Sequence, residues 1–158
     1  MIEQFIPYLI FCTALGSGLI AGLFFAFSTF VMNALARLPA EQGIAAMQSI
    51  NITVLNRLFL TVFIGTTLAS VLLMVISLFN WESPNAVYLL VGSVLYLLGS
   101  FLVTVVCNVP LNDALASVNA KDRESETLWK DYMFKWTAWN HIRTVTSLSA
   151  LASFILAL

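Results

Sequence analysis

The chain has 158 residues, 60% of them hydrophobic and only 9% charged, and a water-soluble domain of this size cannot bury so much apolar surface in one core. Soluble domains carry about 25% charged residues, so the deficit points to lipid as the surrounding medium. Seven Lys+Arg against eight Asp+Glu, with one His and two Cys, exclude a basic nucleic-acid surface and give too few donors for a protein-only zinc or iron–sulfur site, so no metal is expected.

Four apolar runs approach the roughly 20 residues that a helix needs to cross a bilayer. In chain order they are Phe5–Met32, Leu58–Phe79, Ala86–Cys107 and a fourth from about Ile142 to Leu158. The first is too long for a signal-peptide core, and Glu3 stands where such a peptide has basic residues. It is expected to stay in the mature protein. The fourth reaches spanning length only if it starts near Trp136 or Trp139, which sets those indoles at the headgroup level where Trp is enriched.

Between the first two runs, residues 40–48 are helix formers after Pro39, with an apolar face at Ile44, Met47 and Ile50. This predicts a helix that starts outside the membrane and continues into the second span. Glu82-Ser83-Pro84-Asn85 makes a short hairpin, Asn119 to Asp122 a turn, and Lys121–Glu126 a solvated helix start with Asp122 as N-cap. Beyond it Leu128, Trp129, Tyr132, Met133, Trp136 and Trp139 recur at three- and four-residue spacing, so the last helix also begins outside. The expected fold is all-α: one domain over 1–158, a transmembrane antiparallel four-helix bundle with helical cytoplasmic extensions and spans of about 5–32, 58–79, 86–107 and 139–158.

All seven cations lie in two connections: Arg37 and Arg57 in one, Lys121, Arg123, Lys130, Lys135 and Arg143 in the other. By the positive-inside rule both connections face the cytoplasm and both termini face out, which suits the cell inner (plasma) membrane. Ala14, Gly18, Gly22 and Ala26 form a stripe of small residues on the first helix. It serves either close packing within the bundle or a homo-oligomer face. Cys12 and Cys107 lie about 20 Å apart in depth at 1.5 Å per residue, too far to bridge.

Polar side chains gather where each span meets the cytoplasm. They are Asn33, Asn56 with Arg57, Asn108, and Asn140 with His141 and Arg143, joined one turn further by Gln48, Asn51, Asn112 and Trp136. Asn108 and Asn112 share one helix face, and Trp136, Asn140 and Arg143 another. Pro110 lies between the two asparagines, lacks an N–H and crowds the Val106 carbonyl, so the helix should bend or loosen there. Each amide alone reads as a cap or an interhelical bond; the set reads as a pocket, because polar groups at membrane depth face an interior. Arg143 keeps its charge and needs an anionic partner or several acceptors, Asp113 being the carboxylate nearest in depth. His141 is the side chain whose ordinary pKa suits proton transfer near neutrality.

The segments Phe27-Ser28-Thr29-Phe30-Val31-Met32, Gly43 to Asn51, Asn108-Val109-Pro110-Leu111-Asn112 and Trp136 to Arg143 resemble those of the anthrone oxygenase-like integral membrane proteins. The resemblance extends over essentially the whole chain. It implies oxidation of an anthrone-like or other activated aromatic compound by O₂, with no recruited cofactor. Residues matching the motifs are Gln48, Asn51, Asn108, Asn112, Trp136, Asn140 and Arg143. In that chemistry Trp136 and Trp139 would form an aromatic slot, His141 would act as base, and Arg143, Asn108 and Asn140 would donate to the substrate anion. Partners would be an apolar aromatic molecule, O₂ and the bilayer. The competing reading is a small-molecule binding or transport bundle without chemistry. The absence of Asp and Glu from every apolar run speaks against proton-coupled export, and a single His against a haem bundle.

Overall fold

The computed structural model describes residues 2–122 and 125–158, and within them the side chains of all but Ile2 and Glu3. The described residues form five helices and no strand. Helix α1 is a continuous rod over residues 2–35, α-helical through Ala26, π-helical over Phe27–Val31 and α-helical again over Met32–Leu35. Helix α2 is Ala40–Thr53 and α3 is Arg57–Phe79. Helix α4 is Ala86–Ala116, with π-helical stretches at Leu95–Leu102 and Thr104–Asn108, and α5 is Ser125–Leu156. Arg123 and Glu124, part of the expected charged helix start, lie outside the described residues.

Three of these helices, α1 from Gln4, α3 and α4, are long and apolar enough to cross a membrane, which marks the chain as an integral membrane protein. Sequence reasoning expected a fourth span, and α5 does not reach that hydropathy. Its inward face carries Asn140, Arg143, Thr144 and Ser147, all buried, because α5 packs along α1 and α4 and meets protein there rather than lipid. Helix α1 also packs on α3, and α3 on α4. Helix α2 lies across the end of the molecule that carries the cations, against α4 and α5.

The expected continuation of α2 into the next span does not occur. The chain breaks at residues 54–56, where the Asn56 side chain accepts the Phe59 N–H at 3.0 Å and starts α3 as its N-cap. Pro110, as expected, loosens α4, without ending it. The preceding turn widens to π-helical geometry over Thr104–Asn108, which relieves the clash between the proline ring and the previous turn while the helix axis continues.

Two hydrophobic cores result. One, in the apolar half, joins Phe24, Phe63, Leu73, Tyr96 and Phe154. The other, at the basic end, joins Met32, Ile44, Met47, Leu115 and the aromatic residues Trp129, Tyr132 and Trp136. Gly43 permits the second core to close. A Cβ on Gly43 would stand 2.8 Å from the Trp129 ring and 3.3 Å from the Leu35 carbonyl oxygen. Gly22, in the stripe of small residues, has nothing within 4 Å of its Cβ position. Gly43→Ala should therefore destabilise the protein by about 1–3 kcal/mol through overpacking, and Gly22→Ala should stabilise it by about 0.5–1 kcal/mol through helix propensity. Thermal unfolding in detergent measures both, and shifts of the same sign would contradict this packing.

Candidate functional site

Between the two cores lies a cavity of about 650 Å³. Its walls include Phe24 and Phe27 of α1, Asn51 of α2, Asn112 of α4, and Trp136 and Arg143 of α5. The Arg143 side chain is 4% exposed. Its guanidinium carbon lies 4.1 Å from the centroid of the Phe24 ring and 5.0 Å from that of Trp136, so aromatic faces flank the charge. Nη2 donates to Asn140 Oδ1 at 2.8 Å and Nη1 to Thr104 Oγ1 at 3.2 Å, while Nε has no acceptor. Both acceptors are neutral. Among the described residues the ion pairs are Lys130–Glu126 and Lys135–Asp131, each at 2.8 Å, and Asp113, the partner expected from depth, does not pair with Arg143.

The cavity wall is held by amides that bond to backbone and to other side chains. Asn140 Nδ2 donates to the Phe24 carbonyl at 2.7 Å and to Ser28 Oγ at 2.8 Å, which fixes its Oδ1 toward Arg143. Ser28 Oγ is in turn 2.9 Å from Thr144 Oγ1. Asn112 Oδ1 accepts from both Trp136 Nε1 at 2.8 Å and Tyr132 Oη at 2.9 Å. Burial raises the pKa of the Tyr132 phenol above its ordinary range, so the hydroxyl stays protonated and keeps donating. Asn108 Nδ2 donates to the Trp136 carbonyl at 3.2 Å, and its Oδ1 has no partner. Gln48 Nε2 donates to the carbonyls of Leu115 at 2.8 Å and Val118 at 3.0 Å, tying α2 to the end of α4.

Of the nine residues that sequence reasoning assembled, Gln48, Asn51, Asn112, Trp136 and Arg143 line this cavity. Asn108 and Asn140 stand behind the wall and bond to the residues that form it. The structure separates His141 and Trp139 from the set. His141 is exposed and lines a different groove, of about 610 Å³, with Asn33, Trp129 and Lys130. Trp139 is 38% exposed and lines neither space. Helical phase accounts for His141: residues 136, 140 and 143 share one stripe of α5 and 141 lies on another face, whereas 139, three from 136 and four from 143, borders the stripe with its indole outside the cavity. Asn33 and Asn56 are also exposed and bond within their own turns, to Thr29 O at 2.8 Å and Thr53 O at 3.2 Å.

The sequence reading missed Phe24, Ser28, Thr104 and the role of Tyr132. Tyr132 was visible in the spacing of 129, 132 and 136, and it stacks on both indoles with centroids 5.6 and 6.2 Å apart. Thr104 carried no signal, because the π-helical register that turns it to Arg143 is set by packing.

A family model described as anthrone oxygenase matches residues 53–153, nearly two thirds of the chain. The chain belongs to the anthrone oxygenase family. The matched stretch of this family member holds α3, α4 and most of α5, and so Asn108, Asn112, Trp136, Asn140 and Arg143. Gln48, Asn51 and the α1 wall lie before it. No curated protein and no solved structure matched the chain.

Asn112→Leu should leave the buried Tyr132 O–H and Trp136 N–H without an acceptor and cost about 1–3 kcal/mol for each. Tyr132→Phe in the Asn112→Leu background should recover part of that loss. A double-mutant cycle on thermal stability tests the bond, and strictly additive losses would contradict it.

Proposed function

We propose that this protein is a membrane-embedded oxygenase that binds a flat aromatic compound with an activated methylene in the Arg143 cavity and promotes its oxidation by O₂. The observation that carries the reading is a buried guanidinium with two neutral acceptors and an Nε that has none, set between aromatic faces on the cavity wall. Such a site favours an anion delocalised over a ring system. The substrate loses a methylene proton, and the charge collects on its oxygen next to Arg143. The anion passes one electron to O₂, the two radicals recombine to a peroxide anion at that carbon, which takes back the proton held by the base to become a hydroperoxide, and loss of water with the second C–H hydrogen leaves a ketone. In this reading Arg143, positioned by Asn140, stabilises the anion. Trp136, Asn51, Asn112 and Gln48 shape the binding slot, and Asn108 positions Trp136 through its backbone. Asp113, a carboxylate on the cavity lining, replaces the more distant His141 as proton acceptor.

The proposal places the fourth long helix across the bilayer from about residue 139, completing a transmembrane four-helix bundle. Trp139 and the exposed Trp81 then mark the two interfaces. The complete gathering of cations in two connections supports an inner-membrane protein with both termini outside and the cavity toward the cytoplasm.

Two measurements test this reading. In a background with Cys12 and Cys107 replaced, a cysteine at Ser83 should react with an impermeant reagent in intact cells and one at Thr127 only after permeabilisation, and the reverse would invert the topology. With an anthrone as substrate in isolated membranes, O₂ uptake should accompany ketone formation. Arg143→Gln should then lower kcat by about 2 kcal/mol or more in activation energy while leaving binding largely intact. Asp113→Asn should lower kcat, and His141→Ala should not. Equal uptake in all of them would discard the mechanism, and binding without uptake in the parent would identify a non-catalytic carrier.

A further inference from the structure

The ligand's route into the cavity is a separate matter from what happens to it there. We infer that the mouth of the Arg143 cavity opens sideways into the bilayer, between the break that joins α2 to α3 and the basic end of α4, and that it admits membrane-dissolved flat aromatic acids rather than water-soluble ones. The ligand class rests on the reading given under Proposed function; the position of the mouth does not.

The rim is apolar and outward-facing. Ile52, Leu55 and Val109 line the cavity, yet they are 76%, 63% and 40% exposed, and the neighbouring Leu58 is 76% exposed. Residues of this kind around an aqueous opening would each leave apolar area in water at about 25 cal/mol per Å². Against acyl chains they cost nothing.

Part of the backbone at the break is also satisfied locally. Val54 N–H donates to the Ile50 carbonyl at 2.9 Å and Leu55 N–H to that of Ile52 at 3.2 Å. Asn56 Nδ2 donates to the Thr53 carbonyl at 3.2 Å, and its Oδ1 accepts from Phe59 N–H at 3.0 Å. Non-helical chain at membrane depth is unstable unless its polar groups find partners, and these bonds supply local ones for part of the break. The break thus leaves an opening in the wall with part of its backbone paired locally.

The basic end of the cavity is strapped and carries the wrong charge. The two bonds from Gln48 strap α2 to the end of α4, and Asn112 is tied to Tyr132 and Trp136. Asp113, one turn beyond Val109 on the same face of α4, is exposed at this end of the rim and disfavours an anion arriving from water. Helix α3 packs on α4 chiefly through residues 86–102, so its basic end stands away from the turn at Val109 and leaves the gap. An aromatic acid dissolved in the inner leaflet would pass Ile52 and Leu55 ring first and bring its charge to Arg143.

The test uses the full chain in phospholipid vesicles with Cys12 and Cys107 replaced by Ala and a nitroxide on a single cysteine, at Leu55→Cys or at Ala116→Cys. Relaxation at 55 should respond more strongly to O₂, which concentrates in lipid, and at 116 to a water-soluble nickel chelate. Stronger response to nickel at 55 would overturn the lateral mouth. Capture of pyrenebutyrate, an aromatic acid that partitions into bilayers, is then followed by energy transfer from tryptophan. The label at 55 should slow capture several-fold and the same label at 116 should leave the rate unchanged; slowing only by the label at 116 would place the route on the aqueous side and overturn the proposal. A protein that captures no pyrenebutyrate removes the anion site and with it the proposed function, while the relaxation data still decide the mouth. Capture by the lateral route in a protein that consumes no O₂ leaves the mouth standing and removes only the chemistry.

Discussion

The structure is organised around one positive charge that has been taken out of water without a counter-charge among the described residues. Arg143 sits 4% exposed on a helix that packs among apolar neighbours, and desolvation of a guanidinium is costly. Two neutral oxygens, from Asn140 and Thr104, and the faces of Phe24 and Trp136 compensate in part. Charge-assisted hydrogen bonds contribute about 1.5–3 kcal/mol each and cation–π contacts about 0.5–2 kcal/mol each. The remaining electrostatic demand is the basis on which an anionic ligand is proposed for the cavity.

That single requirement extends through the neighbouring elements. Asn140 presents its oxygen to Arg143 only because its amide nitrogen is engaged by Phe24 and Ser28 of α1. Trp136 presents its face only because Asn112 holds its N–H and Asn108 its carbonyl. Ser28 and Phe27 lie in the π-helical stretch of α1, and Thr104 and Asn108 in that of α4. Departures from regular α-helix therefore coincide with the residues that shape the site, as π-helical turns often do at functional positions. The stacked column of Trp129, Tyr132 and Trp136 carries the same geometry toward the basic end, where Gly43 gives the first indole its seat.

Five of the nine anticipated site residues could be brought together from spacing alone, because helical phase is a property of sequence. Residues 108 and 112, and 136, 140 and 143, repeat at three and four and must share faces wherever their helices stand. The same rule separates 141 from that stripe but not 139, which is three from 136 and four from 143; that Trp139 lines neither space is visible only in the structure. Asn33 and Asn56 show a different limit. Both are amides at the expected depth, and both bond within their own turns, since a local carbonyl competes with any partner on another helix.

By itself the sequence determined the membrane class, the helical content, the polar end of the molecule and the kinship with anthrone oxygenases. These follow from composition, apolar run length and motif spacing, which are local or additive along the chain. Tertiary structure alone decided which neighbours bury the polar face of α5, and that the chain would break at residues 54–56. It also decided that Arg143 would meet Thr104 and Phe24 rather than Asp113. Each of those outcomes depends on the distance and rotation between helices far apart in sequence, and packing sets both.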